Sequence, residues 1–207
     1  MGIIAIDLFT TLDLVAQAPG GPEEDPENDF PFGGWQAPLF DEAVGERVEA
    51  GIRKTDALLL GRRTYDIFAA YWPHQEDGAN SSIAATFNRI PKYVASRGAP
   101  KLTWAGSSQL GADLPAAVRE IRDRHEDVHV IGSVNLVQSL LRERLFDRLN
   151  LFVYPIVLGT GKKVFDGGEV PANLKLLEPA VTSPKGAVML SYGLEPGTPA
   201  TGDMGDL

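Results

Sequence analysis

Three short segments place glycine, hydroxyl and arginine residues directly after apolar, strand-like runs. In the first of them, the run 58–60 leads into Gly61, Arg62, Arg63 and Thr64. A glycine lets the backbone approach a ligand, a threonine can cap the helix that follows, and the amino terminus of a helix attracts anions. Two adjacent arginines are unfavourable at that end of a helix unless an anion bridges them, so the segment predicts a phosphate-bearing ligand.

The other two segments repeat the pattern with fewer charges. A second strand-like run ends in Ser96 and Arg97, and a third leads into Gly132 and Ser133 before a helical pattern. Glycine and serine ahead of a helix again suit an anion. A plain strand-to-helix turn would explain the glycines and Thr64, but it would not explain the paired arginines.

Strand and helix patterns alternate along the chain and must position these segments. Strands are predicted at residues 3–11, 57–60, 92–96, 128–131, 149–154, 174–181 and 187–194. Helices are predicted at residues 38–53, 64–70, 83–89, 114–124 and 136–144. Parallel strands joined by helices form an α/β sheet that binds ligands at the carboxyl ends of its strands. Residues 183–186, Ser-Pro-Lys-Gly, join the last two strands as an antiparallel hairpin, so the sheet is predicted to be mixed.

Length and composition narrow the class of protein. With 207 residues, 43% of them hydrophobic, we expect one domain over residues 1–194, with a long Pro-, Gly- and acid-rich loop at 17–34 and a flexible tail at 195–207. No apolar run approaches the ~20 residues of a membrane span, and the first residues do not form a secretory signal. The absence of cysteine favours the cytoplasm. A net charge of -9 makes nucleic acid an improbable partner.

Several catalytic signatures are absent from the sequence. The segment Gly159-Thr160-Gly161 lacks the third glycine of the dinucleotide fingerprint, because Val164 stands at that position. Neither a phosphate-binding loop nor a nucleophilic serine elbow is present. His125 and His129 flank a predicted helix-to-strand turn, where we expect solvent-exposed side chains rather than metal ligands. No metal is therefore predicted.

The order and spacing of five pieces resemble the dihydrofolate-reductase-like superfamily, in particular the C-terminal reductase domain of bacterial riboflavin biosynthesis. The pieces are Thr11-Leu12-Asp13 and residues 60–65, 93–97, 130–133 and 151–165. The zinc deaminase that accompanies this reductase needs cysteine ligands, and the chain has none. The resemblance is thus to a stand-alone form.

The resemblance implies a three-layer α/β/α fold with a mixed, mostly parallel sheet, and an NADPH cofactor lying across the strand ends. By position, it implies Thr64 near the phosphates and Arg62 and Arg63 beside the adenosine end; Gly61, which precedes them, is a further cofactor-binding candidate. The other residues that it implies are Ser96 and Arg97 at the ribose 2′-phosphate, Gly132 and Ser133 at the pyrophosphate, and Thr11 beside the nicotinamide. The family has glycines at two positions where this sequence has Leu14 and Ser133.

Three further residues are candidates for the substrate side. Asp13 is our candidate for positioning the substrate or relaying a proton, and the alternative is an aspartate that caps a turn. Phe32 and Trp35 are candidates for an apolar wall beside a planar substrate, and the alternative is core filling or loop anchoring.

The leading hypothesis is an NADPH-dependent reductase that transfers a hydride to a small planar heterocycle or carbonyl compound of the pyrimidine or pterin type. The alternatives are an NADP(H)-binding module without turnover and an interaction scaffold. The apolar run 149–158, together with the resemblance, predicts a homodimer. A central strand covered by helices on both faces would explain the same run.

Overall fold

The structure is a computed structural model, and it describes residues 2–75, 77–78, 80–167 and 170–206. Within these residues, five α-helices are α1 (Glu42–Ile52), α2 (Arg62–Tyr71), α3 (Ser81–Arg89), α4 (Leu114–Arg124) and α5 (Val134–Arg142). The strands are β1 (Ile3–Thr11), β2 (Ala57–Gly61), β3 (Lys92–Ala95), β4 (Ser107–Gln109), β5 (Asp127–Val130), β6 (Arg148–Tyr154), β7 (Asn173–Leu176), β8 (Val181–Thr182) and β9 (Val188–Glu195). None of the described helices is long and apolar enough to cross a membrane.

The strands form one mixed sheet in the order β4-β3-β2-β5-β1-β6-β9-β7, and β8 also pairs with β9. In this order, all neighbouring strands between β4 at one edge and β6 are parallel. Strand β9 runs antiparallel to β6, β7 and β8. The amide of Gly186 donates to the carbonyl of Ser183, which closes the turn between β8 and β9. The predicted mixed, mostly parallel sheet with a C-terminal antiparallel hairpin is therefore confirmed.

Three elements differ most from the predicted pattern, and α2 and α5 each begin two residues earlier than predicted. The predicted strand 174–181 is divided into β7 and β8, and the interruption contains Pro179, which has no amide to donate to a ladder. The short polar strand β4 has no apolar alternation, so no pattern predicted it. The first helix begins later than expected, because the side chain of Asp41 caps it by accepting from the amide of Val44.

Helices cover both faces of the sheet, which makes three layers. On one face, Ile4 and Ile6 of β1 pack with buried residues of α4 and α5 such as Ile121 and Leu140. On the other face, α1, α2 and α3 pack against β2, β3 and β6. This second face includes the buried residues Val44, Ile52, Leu58, Leu60, Tyr65, Phe87, Phe152 and Tyr154.

Strand β6 lies between β1 and β9 and is buried on both faces. Leu149 and Tyr154 are 0% exposed, and Leu151 and Phe152 are each 7% exposed. The central-strand alternative therefore accounts for this apolar run without a partner subunit.

The segment 17–34 consists of turns and one 3-10 helix, Glu27–Asp29, and it is organised around the buried side chain of Gln17. The Gln17 carboxamide donates to the carbonyl oxygens of Asp25 and Glu27, each at 2.9 Å. The indole of Trp35 donates to the carbonyl of Gln17 at 2.8 Å. At the other end of the chain, β9 extends to Glu195, one residue into the predicted tail.

We expect Tyr65→Phe to destabilise the fold even though it keeps the buried ring. Tyr65 is 1% exposed, and its hydroxyl oxygen accepts from the amide of Trp104 at 3.0 Å. The substitution leaves that amide without its acceptor, which should lower the free energy of unfolding by about 1–2 kcal/mol in chemical denaturation. Tyr71→Phe is the matched control, because Tyr71 is 42% exposed, and its effect should stay within about 0.5 kcal/mol. Equal losses in both variants would contradict the assignment.

Candidate active site

The ends of β2 and β5 meet at two glycines. The amide of Gly61 donates to the carbonyl of Gly132 at 3.1 Å. A Cβ at Gly61 would lie 2.4 Å from the hydroxyl oxygen of Ser133, and one at Gly132 would lie 2.9 Å from that of Thr64. Gly132 also has φ +101°, a conformation that side chains rarely adopt. These two glycines let the two strand ends approach each other closely.

Two helices begin at this contact. Gly61 and Ser133 are the residues that precede the first turns of α2 and α5. The hydroxyl of Ser133 accepts from the amide of Thr64 at 3.3 Å, so the two amino termini lie side by side. Because α2 begins at Arg62, Thr64 lies inside the first turn and does not cap the helix as predicted. Paired helix amino termini attract an anion through their free amides and their dipoles.

The arginines of α2 are already paired with carboxylates. The Nε of Arg62 donates to Asp66 at 2.7 Å. Both terminal nitrogens of Arg63 lie 3.3 Å from a carboxylate of the 17–34 segment, one on Asp25 and one on Glu27. A phosphate that contacts Arg63 would therefore compete with these two carboxylates.

The second predicted segment, which ends in Ser96 and Arg97, lies next to the first, because Gly61 pairs with Ala95 across β2 and β3. The hydroxyl of Ser96 accepts from the amide of Gly98 at 3.3 Å. Arg97 is exposed, and no residue in the described ranges forms an ion pair with it.

One cavity of about 2850 Å³ joins these segments and extends under α1 along the sheet face. Among the predicted site residues, its lining includes Gly61, Arg62, Arg63, Thr64, Ser96, Arg97, Gly132 and Ser133. The described residues that line it do not include Thr11, Asp13, Phe32 or Trp35. The structure thus brings the predicted phosphate-side residues together. It places Thr11, predicted beside the nicotinamide, and the three predicted substrate-side residues outside this lining.

Asp13 holds a turn at the end of β1. One carboxylate oxygen accepts from the Thr11 hydroxyl at 2.6 Å and from the amide of Leu158 at 3.2 Å, and the other accepts from the amide of Gly159 at 2.9 Å. Burial opposes ionisation, but these hydrogen bonds outweigh it and lower the pKa of Asp13 to about 2. Asp13 was a candidate either for a role with the substrate or for capping a turn. These contacts are those of an aspartate that caps a turn.

Leu14 takes the left-handed conformation in that turn, with φ +63°. Its amide donates to the carbonyl of Thr11, and its carbonyl accepts from the amide of Val164, both at 2.9 Å. A left-handed residue is needed here, which explains why the family places glycine at this position.

The aromatic candidates differ in burial. Trp35 is 8% exposed, and its ring lies 5.6 Å from that of Tyr154 in an edge arrangement, so it anchors the loop to the core. Phe32 is 42% exposed and contacts the ring of Phe30 at 6.0 Å.

A buried polar cluster lies on the sheet face beneath α1 and was not predicted. The Nδ1 of His129 pairs with Asp7, and its Nε2 lies 3.2 Å from Asp127. The side chain of Asn150 donates to the second oxygen of Asp7 at 2.7 Å. Within the described chain, no group of three or more His, Cys, Asp or Glu residues is arranged to hold a metal ion.

His129 is 5% exposed and lies in β5, so the expectation of solvent exposure was wrong for this residue. Burial alone would lower the pKa of His129, but the charge of Asp7 and the hydrogen bonds to Asp127 and Asp7 raise it to about 10. The sequence did carry a signal, because Asp7 and His129 are single polar residues inside apolar strand runs.

Comparison with known proteins decides the family. The model of the RibD C-terminal domain matches residues 3–187. The chain belongs to this family. It is 25% identical over 142 residues to the uncharacterized protein YyaP of Bacillus subtilis (strain 168), which covers 68% of this chain and 75% of that protein.

Solved structures show the same fold. A protein from Shewanella sp. PV-4 named for riboflavin biosynthesis superposes with a TM-score of 0.66 at 17% identity, over 94% of this chain and 99% of that one. A dihydrofolate reductase from Enterococcus faecalis, complexed with NADP(H), superposes with a TM-score of 0.57 at 11% identity, over 94% and 98%. The superpositions show that the chain shares the fold of these two proteins.

We expect Asp13→Asn to cost stability in a pH-dependent way. Because the pKa of folded Asp13 lies below its ordinary value of 3.8, the ionised group stabilises the fold above about pH 4, and this contribution is lost as the pH falls towards 2. The variant should therefore lose about 1–2 kcal/mol of unfolding free energy at neutral pH and progressively less below pH 4. Asp203→Asn, at an exposed position in the tail, is the control and should change nothing. A loss that is independent of pH would argue against this account.

Proposed function

We propose that this protein is an NADPH-dependent reductase that transfers a hydride to a small planar heterocycle or carbonyl compound of the pyrimidine or pterin class. The observation that carries the proposal is the contact between the amino termini of α2 and α5 at Gly61, Thr64, Gly132 and Ser133. Such a contact suits a pyrophosphate. The family of the chain supports NADPH as the cofactor, and so does the NADP(H) complex of the dihydrofolate reductase that has the same fold.

Each part of the cofactor has residues that would hold it. The amides at the start of α5, with Ser133 and Thr64, would bind the pyrophosphate. Ser96 and Arg97 would bind the ribose 2′-phosphate, and the paired arginines of α2 would lie at the adenosine end. NADPH supplies the hydride when bound, and the protein orients the reactants and excludes water.

The turn at the end of β1 has a structural part in this proposal. Asp13 has a pKa of about 2 and is ionised at neutral pH, so it carries no proton to give to a substrate. Its carboxylate instead fixes the turn to the amides of Leu158 and Gly159. The Thr11 end of β1, where the family resemblance puts the nicotinamide, is thereby held rigid.

A second candidate is an NADP(H)-binding module without turnover. Leu14 favours it, because a side chain stands in the turn where the family has glycine. Incubation with NADPH deuterated at C4 and a panel of pyrimidine, pteridine and carbonyl compounds separates the two. Deuterium in a product identifies the reductase, and cofactor binding with no deuterium transfer across the panel favours the module.

We expect the protein to bind NADPH at least tenfold more tightly than NADH, because charge-assisted hydrogen bonds to the 2′-phosphate contribute roughly 1.5–3 kcal/mol each. Arg97→Ala should reduce this preference by about tenfold and leave the NADH dissociation constant unchanged in calorimetry. Arg124→Ala in α4 removes the same charge from an exposed site and is the control. Equal dissociation constants for the two cofactors in the parent would refute the proposed cofactor.

We also propose a homodimer through the edge formed by β7 and β8. Leu174, Leu176 and Val181 on this edge are 37%, 43% and 47% exposed, and an unpaired apolar strand edge is a common site of association. Light scattering should give about twice the chain mass of 22.3 kDa, and Leu176→Lys should lower it to that of one chain. A parent protein that is monomeric at micromolar concentration would exclude this dimer.

A further inference from the structure

Two carboxylates of the 17–34 segment lie between two cations that come from different parts of the fold. The Oε2 atom of Glu27 accepts from the Nζ of Lys162 at 2.5 Å and from a terminal nitrogen of Arg63 at 3.3 Å. One oxygen of Asp25 accepts from Lys162 at 2.6 Å, and the other lies 3.3 Å from Arg63. Lys162 lies in the loop after β6, whereas Arg63 lies in the first turn of α2. The segment is therefore attached to two separate elements.

The attachment to Lys162 is the buried one. The side chains of Lys162 and Asp25 are only 18% and 11% exposed. The amide of Lys162 also donates to the carboxamide oxygen of Gln17 at 3.0 Å, and Gln17 is 2% exposed. Separating Lys162 from Asp25 would leave a buried charge without a partner, which is strongly unfavourable. This half of the cluster anchors the segment.

The attachment to Arg63 is weaker. The side chains of Arg63 and Glu27 are 46% and 47% exposed, and exposed ion pairs contribute little in water. The hydrogen bond and the charge of Lys162 lower the pKa of Glu27 more than the charge of Arg63 does. When Arg63 leaves, both carboxylates keep Lys162 as a partner. Arg63 can therefore be released without unpairing a buried charge.

The same guanidinium faces the cavity. Residues 20–25 and Glu27 of the segment line the cavity together with Arg63. A phosphate group binds arginine through charge-assisted hydrogen bonds, and it repels carboxylates at the same place. A phosphate in this part of the cavity and the 17–34 segment thus exclude each other from Arg63.

We propose that the contact of Arg63 with Asp25 and Glu27 is an autoinhibitory latch, which a phosphate-bearing ligand opens by taking Arg63 from the 17–34 segment. The segment then stays attached through Lys162 and moves away from α2. The latch lowers the affinity for the ligand below the value that a free Arg63 would give, and it couples ligand binding to the position of the segment. The adjacent Arg62 has no part in it, because Arg62 pairs with Asp66 of its own helix.

The inference rests on the proposed function only in that the natural ligand is taken to be NADPH, and its first test needs no nucleotide. Hydrogen–deuterium exchange over residues 20–30 of the apo protein reports how firmly the segment is held. Arg63→Ala removes two exposed ion pairs to the segment and should raise the exchange rate about threefold. Arg62→Ala is the matched control and should leave this rate unchanged.

The parent protein provides a measurement that needs no variant. Saturating inorganic pyrophosphate should raise the exchange rate over residues 20–30, in comparison with sodium chloride at equal ionic strength, because it takes Arg63 from the carboxylates. In Arg63→Ala, pyrophosphate should produce no further rise.

Calorimetry with NADPH tests the inhibition itself. Glu27→Gln removes the charge but keeps the side-chain size, and it should tighten binding about three- to tenfold, because Arg63 is freed and a repelling charge is lost. Glu23→Gln makes the same charge change at an exposed position that forms no ion pair with another described residue. Its effect should stay below about twofold, because solvent screens it. In an Arg63→Ala background, the effect of Glu27→Gln should shrink to the same level.

The outcomes separate the latch from the proposed function. Exchange over residues 20–30 that does not respond to Arg63→Ala, a Glu27→Gln variant that binds no more tightly than Glu23→Gln, or a gain that persists in the Arg63→Ala background would each overturn the inference. If pyrophosphate opens the segment but NADPH does not bind, the proposed cofactor fails and the latch stands. If NADPH binds and transfers its deuterium while exchange over residues 20–30 stays the same, the latch fails and the proposed function stands.

Discussion

The close approach of the β2 and β5 ends is the constraint on which the site depends. Any side chain at Gly61 would collide with Ser133, and Gly132 combines the same crowding with a positive φ. Because the strand ends touch, the amino termini of α2 and α5 lie side by side, with the Thr64 amide donating to the Ser133 hydroxyl. The neighbouring parallel strand β3 then adds Ser96 and Arg97 to the same edge.

The acidic segment 17–34 places carboxylates next to the cations at this edge of the sheet. Asp25 and Glu27 contact both Arg63 and Lys162, and Lys162 also donates its amide to the side chain of Gln17. The ion pair and hydrogen bond with Lys162 lower the pKa of Glu27, so the carboxylate stays charged at neutral pH. The carboxylates of this segment therefore have a structural role, since they neutralise the cations that border the proposed anion site.

Local sequence patterns predicted those strands and helices whose bounds are set by residues within or next to the element. The bounds of β1 and of α4 agree with the predicted ranges 3–11 and 114–124, because β1 is a continuous run of strand-forming residues and Asp113 caps the helix. That the segments with Gly61, Ser96 and Gly132 lie at one edge of the sheet was also predictable, since each follows its own strand, but phosphate binding by them stays a prediction. The Asp7 and His129 pair was not, because its members lie 122 positions apart and only the pairing of β1 with β5 brings them together. The contact of Arg63 with the 17–34 segment is likewise a product of tertiary folding.

Hydrogen–deuterium exchange of the backbone amides, measured without and with saturating NADPH, tests whether the paired helix amino termini bind the cofactor. Exchange should become slower at residues 61–64 and 132–136, where the two helix amino termini would hold the pyrophosphate, and stay unchanged in the edge strands 173–182. Protection confined to other segments, or no protection by NADPH anywhere, would contradict this proposal.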